Sequence, residues 1–203
     1  MASRSPLNSP PASRHSPLTS ISDEQEAALI RRIGSRDREA LTELYTIYHR
    51  RLARFLGRFI RQYDVVQEIV NDTLFIVWQQ ADRFRGGSRV STWIMGIAYR
   101  RALRALRMAA SHATASGLAE EPVDPADPLE DAERKELLAR ALETLPLEQR
   151  MVLELTYYLG HSCEEIATIV DCPVNTVKTR MFHARRKLKA LLPTLSGVPE
   201  GEP

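Results

Sequence analysis

The side chains best suited to chemistry in this chain are cationic, hydrogen-bonding and aromatic, and they gather in two stretches. From Lys178 to Lys189 there are six lysines or arginines and no acid. Asn175, Lys178, Thr179, Phe182, His183 and Arg186 share this stretch with Val174, Val177, Met181, Ala184 and Leu188, which recur at steps of three and four. One helix face is therefore apolar and the other offers donors, acceptors and positive charge. That combination suits phosphates and base edges. From Phe84 to Ser111 the basic residues are Arg85, Arg89, Arg100, Arg101, Arg104 and Arg107, again without an acid, with Phe84, Trp93 and Tyr99 interleaved. Arginines follow a phosphate backbone, and aromatic faces stack on unpaired bases. Gly86-Gly87 lets the loop approach a strand closely. Trp93 has two readings, a core side chain or a stacking platform; taken alone, the core is favoured.

Other chemistry is poorly supported. His161, Cys163, Cys172 and His183 are spaced H-x-C-x8-C-x10-H, which is not a usual structural zinc spacing. Glu164 and Glu165 are adjacent and point to different helix faces, so they form no acid/base pair. There is no phosphate-binding GxxxxGK[ST] loop and no HExxH. No catalytic residue, cofactor, metal or small-molecule substrate is expected, and the chain reads as no enzyme.

The elements that position these residues are helical throughout, so the expected fold class is all-α. Ser22 and Gln25 form a capping-box pattern ahead of Leu29, Ile30 and Ile33. Leu41, Leu44, Tyr45, Tyr48, Leu52, Phe55, Leu56 and Phe59 recur at helical spacing. A third helix is expected from Asp64, with Gln67 at the matching capping position and Val66, Ile69, Val70, Val77 and Trp78 on its apolar face. Phe84–Arg89 reads as a loop, and Ser91-Thr92-Trp93 enters a helix reaching about Met108. Residues 109–131 turn acidic and proline-rich (EEPVDPADPLED), which marks a flexible linker. Leu137, Leu138, Ala141, Leu142 and Leu145 line the next helix, which Pro146 ends. Met151, Val152, Leu155 and Tyr158 line another, ending at Gly160. Ser162 with Glu165 is a second capping box, opening the helix CEEIATIV; Asp171-Cys172-Pro173 turns the chain into the basic helix. Two short helices joined by a tight turn match the helix-turn-helix, whose second helix enters the major groove.

The resulting organisation is a Ser/Pro-rich disordered tail over 1–21, a helical domain over 22–108, the acidic linker over 109–131, a helix-turn-helix domain over 132–193 and a tail over 194–203. The linker's acidity suits either mimicry of nucleic acid in a basic channel or simple spacing. The chain has 203 residues, 43% of them hydrophobic and 27% charged, with a net charge of +2. Two cysteines do not make a disulfide framework. No apolar run approaches the roughly 20 residues of a membrane span, and the N-terminus lacks a secretory core. A cytoplasmic protein without membrane insertion is expected.

Two long blocks carry a family resemblance. DVVQEIVNDTLFIVWQQADRFRGGSRVSTWIMGIAYRRA resembles conserved region 2 of extracytoplasmic-function (ECF) sigma factors, and LPLEQRMVLELTYYLGHSCEEIATIVDCPVNTVKTRMFHARRKL resembles their region 4. Their order, with an acidic linker and no third domain between them, also matches. The resemblance implies a sigma factor that binds core RNA polymerase and directs promoter-specific initiation. It places Asp64, Gln67, Glu68, Asn71 and Asp72 at the polymerase. It places Phe84, Arg85, Ser88, Arg89, Ser91, Thr92, Trp93, Arg100, Arg101 and Arg104 at the melted −10 element. Asn175, Thr176, Lys178, Thr179, Phe182, His183 and Arg186 fall at the −35 duplex. It also implies an anti-sigma factor as regulator. Asn175 departs from the pattern, standing where the family often has glycine. A stand-alone helix-turn-helix regulator is the main rival reading, and it leaves the Phe84–Met108 segment unexplained.

Overall fold

The computed structural model describes residues 21–112 and 137–195. The tail before Ile21, most of the linker and the residues after Leu195 lie outside the described residues. Among the described residues every regular element is helical.

The first domain begins with α1 (Asp23–Gly34), whose capping box is complete: the Ser22 hydroxyl accepts from the Gln25 amide, and the Gln25 side chain accepts from the Ser22 amide. Asp37 caps α2 (Arg38–Gly57) by accepting from the Glu39 and Ala40 amides. α3 (Tyr63–Gln80) follows, then a 3-10 turn (Ala81–Arg83), the Phe84–Arg89 loop and α4 (Val90–His112). The expected capping box at Asp64 and Gln67 does not form. Gln62 occupies the cap position without a side-chain bond, and Gln67 instead meets His49 of α2, Oε1 to Nε2 2.8 Å. α4 continues through residues 109–112, beyond the point where the composition changes.

α1 to α4 pack around Ile33, Leu44, Tyr48, Leu52, Phe55, Leu56, Ile94 and Met95, all fully buried. Each such side chain contributes about 1.5–3 kcal/mol. The periodic pattern misplaces Tyr45, which is 40% exposed, and Phe59, which lies beyond the end of α2. On α3 the apolar face is completed by Thr73 and Leu74, both buried, while Trp78 is only half-buried. The Thr73 hydroxyl is satisfied by donating to the Ile69 carbonyl at 2.7 Å.

The second domain is described from a helical segment over 137–143 (α5). Ala141 and Leu145 enter the core and Leu138 does not, being 44% exposed. Pro146 is the cap of α6 (Leu147–Leu153), where its missing N–H is harmless. A π-helical turn, Glu154–Tyr158, extends α6, and Gly160 at φ 72° ends it. α7 (Cys163–Val170) and α8 (Val174–Leu195) form the helix-turn-helix. The Ser162–Glu165 capping box is complete. Asp171 takes the left-handed conformation (φ 53°, ψ 58°) that reverses the chain, a position a short polar side chain tolerates better than most. Val177, Met181 and Ala184 of α8 are buried, with Val174 and Leu188 packed at the edge.

The two domains touch. α4 lies against α7, with Gly96 at the contact: a Cβ there would lie at ordinary contact distance, 3.8 Å, from both the Cα and the carbonyl oxygen of Ile169. A second seam joins the α2–α3 connection to α5 and α6.

Candidate polymerase and nucleic-acid interfaces

The polar face of α3 carries Asp64, Gln67, Glu68, Asn71 and Asp72 at steps of three and four. Asp64, Glu68 and Asn71 are exposed, Gln67 and Asp72 half-buried. Periodicity assigned Tyr45 to the core, but it joins this face: its hydroxyl lies 3.5 Å from Asn71 Oδ1 and its ring stacks on His49 at 5.0 Å. An aromatic at an apolar repeat gave no sequence signal for this. The face is thus acidic and amide-rich with an aromatic patch beside it, suited to a protein partner.

The residues expected at the −10 element fall into two groups. Arg100, Arg101 and Arg104 line a groove between α3 and α4, together with Ile76, Gln80 and Ile97. Three guanidinium groups on one wall favour a phosphate backbone. Ile76 and Gln80 were not singled out by sequence, because their face of α3 is mixed in character. Arg101 also holds Asp72, Nη1 to Oδ2 3.2 Å. In the loop, Arg85 is exposed and Ser88 half-buried. Phe84 and Trp93 pack ring against ring at 4.8 Å and both are half-buried, so Trp93 contributes to the core while keeping one part at the surface. Tyr99 is 5% exposed and is packed inside, which removes it from the stacking set.

The second group is engaged with the other domain. Ser91 and Thr92 are buried. The Thr92 hydroxyl donates to Glu165 Oε1 at 3.2 Å, and Arg89 Nη1 donates to the same oxygen at 3.4 Å. Arg89 also grips Asp23 through Nε and Nη2, at 3.0 and 2.7 Å. Glu165 Oε2 accepts from the Ser162 amide at 2.8 Å and lies 3.7 Å from His161 Nδ1. His161 beside it, with the Ser162 amide and Arg89, holds the Glu165 carboxyl down at about 2. Sequence identified Glu165 only as a helix cap; its partners come from far away in the chain.

On α8, Asn175, Lys178, Thr179, Phe182, His183 and Arg186 are exposed and Thr176 is half-buried. Phe182 is 61% exposed, with its ring edge-on to His183 at 5.5 Å. Asn175 is accommodated inside the first turn, its carbonyl accepting from the Thr179 hydroxyl at 2.9 Å. Cys163 and Cys172 are free and partly buried. No group of His, Cys, Asp and Glu suited to a metal occurs among the described residues, and no described helix is long and apolar enough to cross a membrane.

Comparison with known proteins fits this geometry. The sigma-70 region 2 family matches residues 44–112 and the sigma-70 region 4 family matches residues 135–188. The ECF RNA polymerase sigma-E factor of Escherichia coli (strain K12) is 29% identical over 176 residues, covering 80% of this chain and 92% of that protein. This chain belongs to the sigma-70 family and is similar to its ECF members. The RNA polymerase sigma-H factor of Pseudomonas aeruginosa is likewise 29% identical, over 86% of this chain and 98% of that one. Among solved structures, CnrH in complex with the cytosolic domain of CnrY superposes with a TM-score of 0.63 at 24% identity, covering 83% of this sigma factor and 97% of that chain. The sigma factor RpoE bound to the anti-sigma factor NepR from Bartonella quintana gives 0.62 at 23% identity, covering 78% and 98%. Both share the fold. As a sigma factor, the chain directs promoter-specific transcription initiation.

Proposed function

We propose that the labour of initiation is divided among three surfaces of this sigma factor. The α3 face bearing Asp64, Gln67, Glu68, Asn71 and Asp72 docks on core RNA polymerase. The Phe84–Thr92 loop and the arginine groove on α4 take the melted −10 element. The exposed side of α8 reads the −35 duplex. The observation that carries this reading is that two different cationic surfaces stand on separate domains: an arginine groove on the domain that also holds the half-buried Phe84–Trp93 pair, and a helix whose exposed face carries cations and hydrogen-bonding groups and no acid. The first suits unpaired strands, where a base is stacked and its backbone neutralised. The second suits the major groove.

The protein acts by binding and carries no catalytic group of its own; the chemistry is the polymerase's. It works in the cytoplasm, where polymerase and promoter are. An anti-sigma factor is its regulator, in keeping with the RpoE relative held by one. Each module alone is small, so tight promoter binding requires the polymerase to fix their spacing.

Co-elution with bacterial core polymerase on a sizing column, followed by promoter-directed transcription with the reconstituted holoenzyme, tests the reading. A stable complex and transcripts that depend on the added chain are expected. A well-folded chain that forms no complex would instead point to a stand-alone DNA-binding regulator.

A further inference from the structure

The contacts between the domains occupy groups that the proposed function needs. Arg89 and Thr92, on the first domain, converge on a single carboxylate oxygen of Glu165 on the second. A guanidinium and a hydroxyl around one anionic oxygen is also how a phosphate is held. Thr92 is only 1% exposed in this arrangement, so it has no room for a nucleotide.

Two further features hold the domains in place. At the second seam, Arg58 pairs with the buried Glu154 at 3.0 Å and lies over the Tyr158 ring at 4.2 Å. Arg61 pairs with Glu143 at 3.1 Å, and Arg150 donates to the Arg58 carbonyl and covers the Phe59 ring. In each ion pair the first domain supplies the arginine and the second the glutamate. At the first seam, Gly96 of α4 faces the backbone of α7 at Ile169 with room for a Cβ and little more. A side chain much larger than alanine there would push the helices apart.

We infer that this sigma factor is self-latched: in the free chain the helix-turn-helix domain closes on the first domain, and Glu165 stands in for a DNA phosphate at Arg89 and Thr92. The inference rests on the assignment of Arg89 and Thr92 to the melted −10 strand. Closure and strand binding then compete, and the closed population lowers the apparent affinity of the free chain by the fraction of molecules that are open. Opening is coupled to engagement of polymerase, which separates the two domains along the promoter. Free sigma factor is thereby kept off single-stranded DNA by its own fold.

Two variants of the full chain open the latch by different routes. Glu165→Gln removes the charge while keeping an oxygen for the Ser162 amide. Gly96→Leu inserts a wedge at α7 without removing a charge, and Gly96→Ala is its control, since a Cβ there is tight only against the movable end of Arg100, at 3.3 Å, and lies at ordinary contact distance, 3.8 Å, from Ile169. The radius of gyration by small-angle scattering and the affinity for a short fluorescent single-stranded oligonucleotide of random sequence are measured for each. Circular dichroism confirms folding, and should Glu165→Gln unfold α7, the wedge alone decides. If about a tenth of wild-type molecules are open, both opening variants expand and bind the strand about tenfold more tightly, while Gly96→Ala matches wild type. Equal dimensions in wild type and wedge overturn the latch. Expansion without tighter strand binding overturns the masking. Transcription by wild-type holoenzyme, run alongside, separates either failure from failure of the sigma function itself.

Discussion

Asp72 on α3 and Arg101 on α4 form an ion pair, Oδ2 to Nη1 3.2 Å, tying the helix face proposed for polymerase to the groove proposed for DNA. Asn71, one residue away, has no such tie to α4 and touches Tyr45 instead. Asn71→Ala is therefore expected to weaken the polymerase complex by roughly tenfold, about 1.4 kcal/mol, and to leave duplex −35 binding unchanged. Asp72→Ala is expected to weaken the complex too, and additionally to release Arg101 and alter binding to single-stranded DNA. Both partners are more than a third exposed, so stability should change by less than about 1 kcal/mol. Polymerase pull-down titrations and strand binding on the two variants distinguish the roles. Identical losses of every activity in both would contradict the division proposed here.

On α8, Lys178→Ala and Arg186→Ala should weaken −35 recognition while sparing the polymerase complex. A side chain that meets a phosphate lowers the salt slope of binding by about one unit when removed and acts on all sequences alike. One that meets a base edge costs about 1–3 kcal/mol on the cognate site only. Holoenzyme affinity for cognate and scrambled −35 duplexes across a salt series assigns each residue to one class.

Tyr48 is fully buried and its hydroxyl donates to Glu26 Oε1 at 2.7 Å, while Glu26 Oε2 is buried without a partner. Burial raises the Glu26 carboxyl above its ordinary 4.5, against the pull of Tyr48 and Arg51. Tyr48→Phe removes that donor and should destabilise by about 1–3 kcal/mol. The pH dependence has a definite sign. Because the folded-state value is raised, protonation of Glu26 favours the fold; that stability is present below about 4.5 and fades as pH rises through the raised value. Glu165 runs the other way: its lowered value gives stability present above 4.5 and lost as pH falls toward about 2. As pH drops, thermal melts should show stability rising through the raised Glu26 value and falling again as Glu165 protonates below 4.5. Glu26→Gln should abolish the first change, and Glu165→Gln should blunt the second.

Asp171 holds a positive φ of 53° at the turn of the helix-turn-helix. Left-handed backbone costs an ordinary L-residue about 1–2 kcal/mol. Asp171→Gly should be neutral or stabilising by up to about 1 kcal/mol, and Asp171→Val destabilising by about 1–2 kcal/mol, read from chemical denaturation.

Much of this protein is decided locally. The helices at Ser22 and Ser162 start where hydroxyl and carboxamide or carboxylate sit three residues apart, because the cap bonds are made within one turn. The α8 face was legible for the same reason: Val177, Met181 and Ala184 are buried and Lys178, Thr179 and Phe182 exposed as their spacing requires. Charge clusters and the two family blocks likewise need only the order of residues. What local pattern could not decide depended on partners distant in the chain. Tyr45 has the spacing of a core residue, yet the neighbouring α3 leaves its hydroxyl at Asn71 on the surface. Gln67 sits at a capping offset, yet His49 takes its side chain. Tyr99 belongs to a basic, aromatic stretch, yet its side of α4 is covered. Thr92 and Glu165, 73 residues apart, meet only because α4 and α7 pack together. Hydrogen-bond geometry within a turn is fixed by the sequence of that turn, whereas burial and pairing across elements are fixed by how helices pack, and only the tertiary structure decides that.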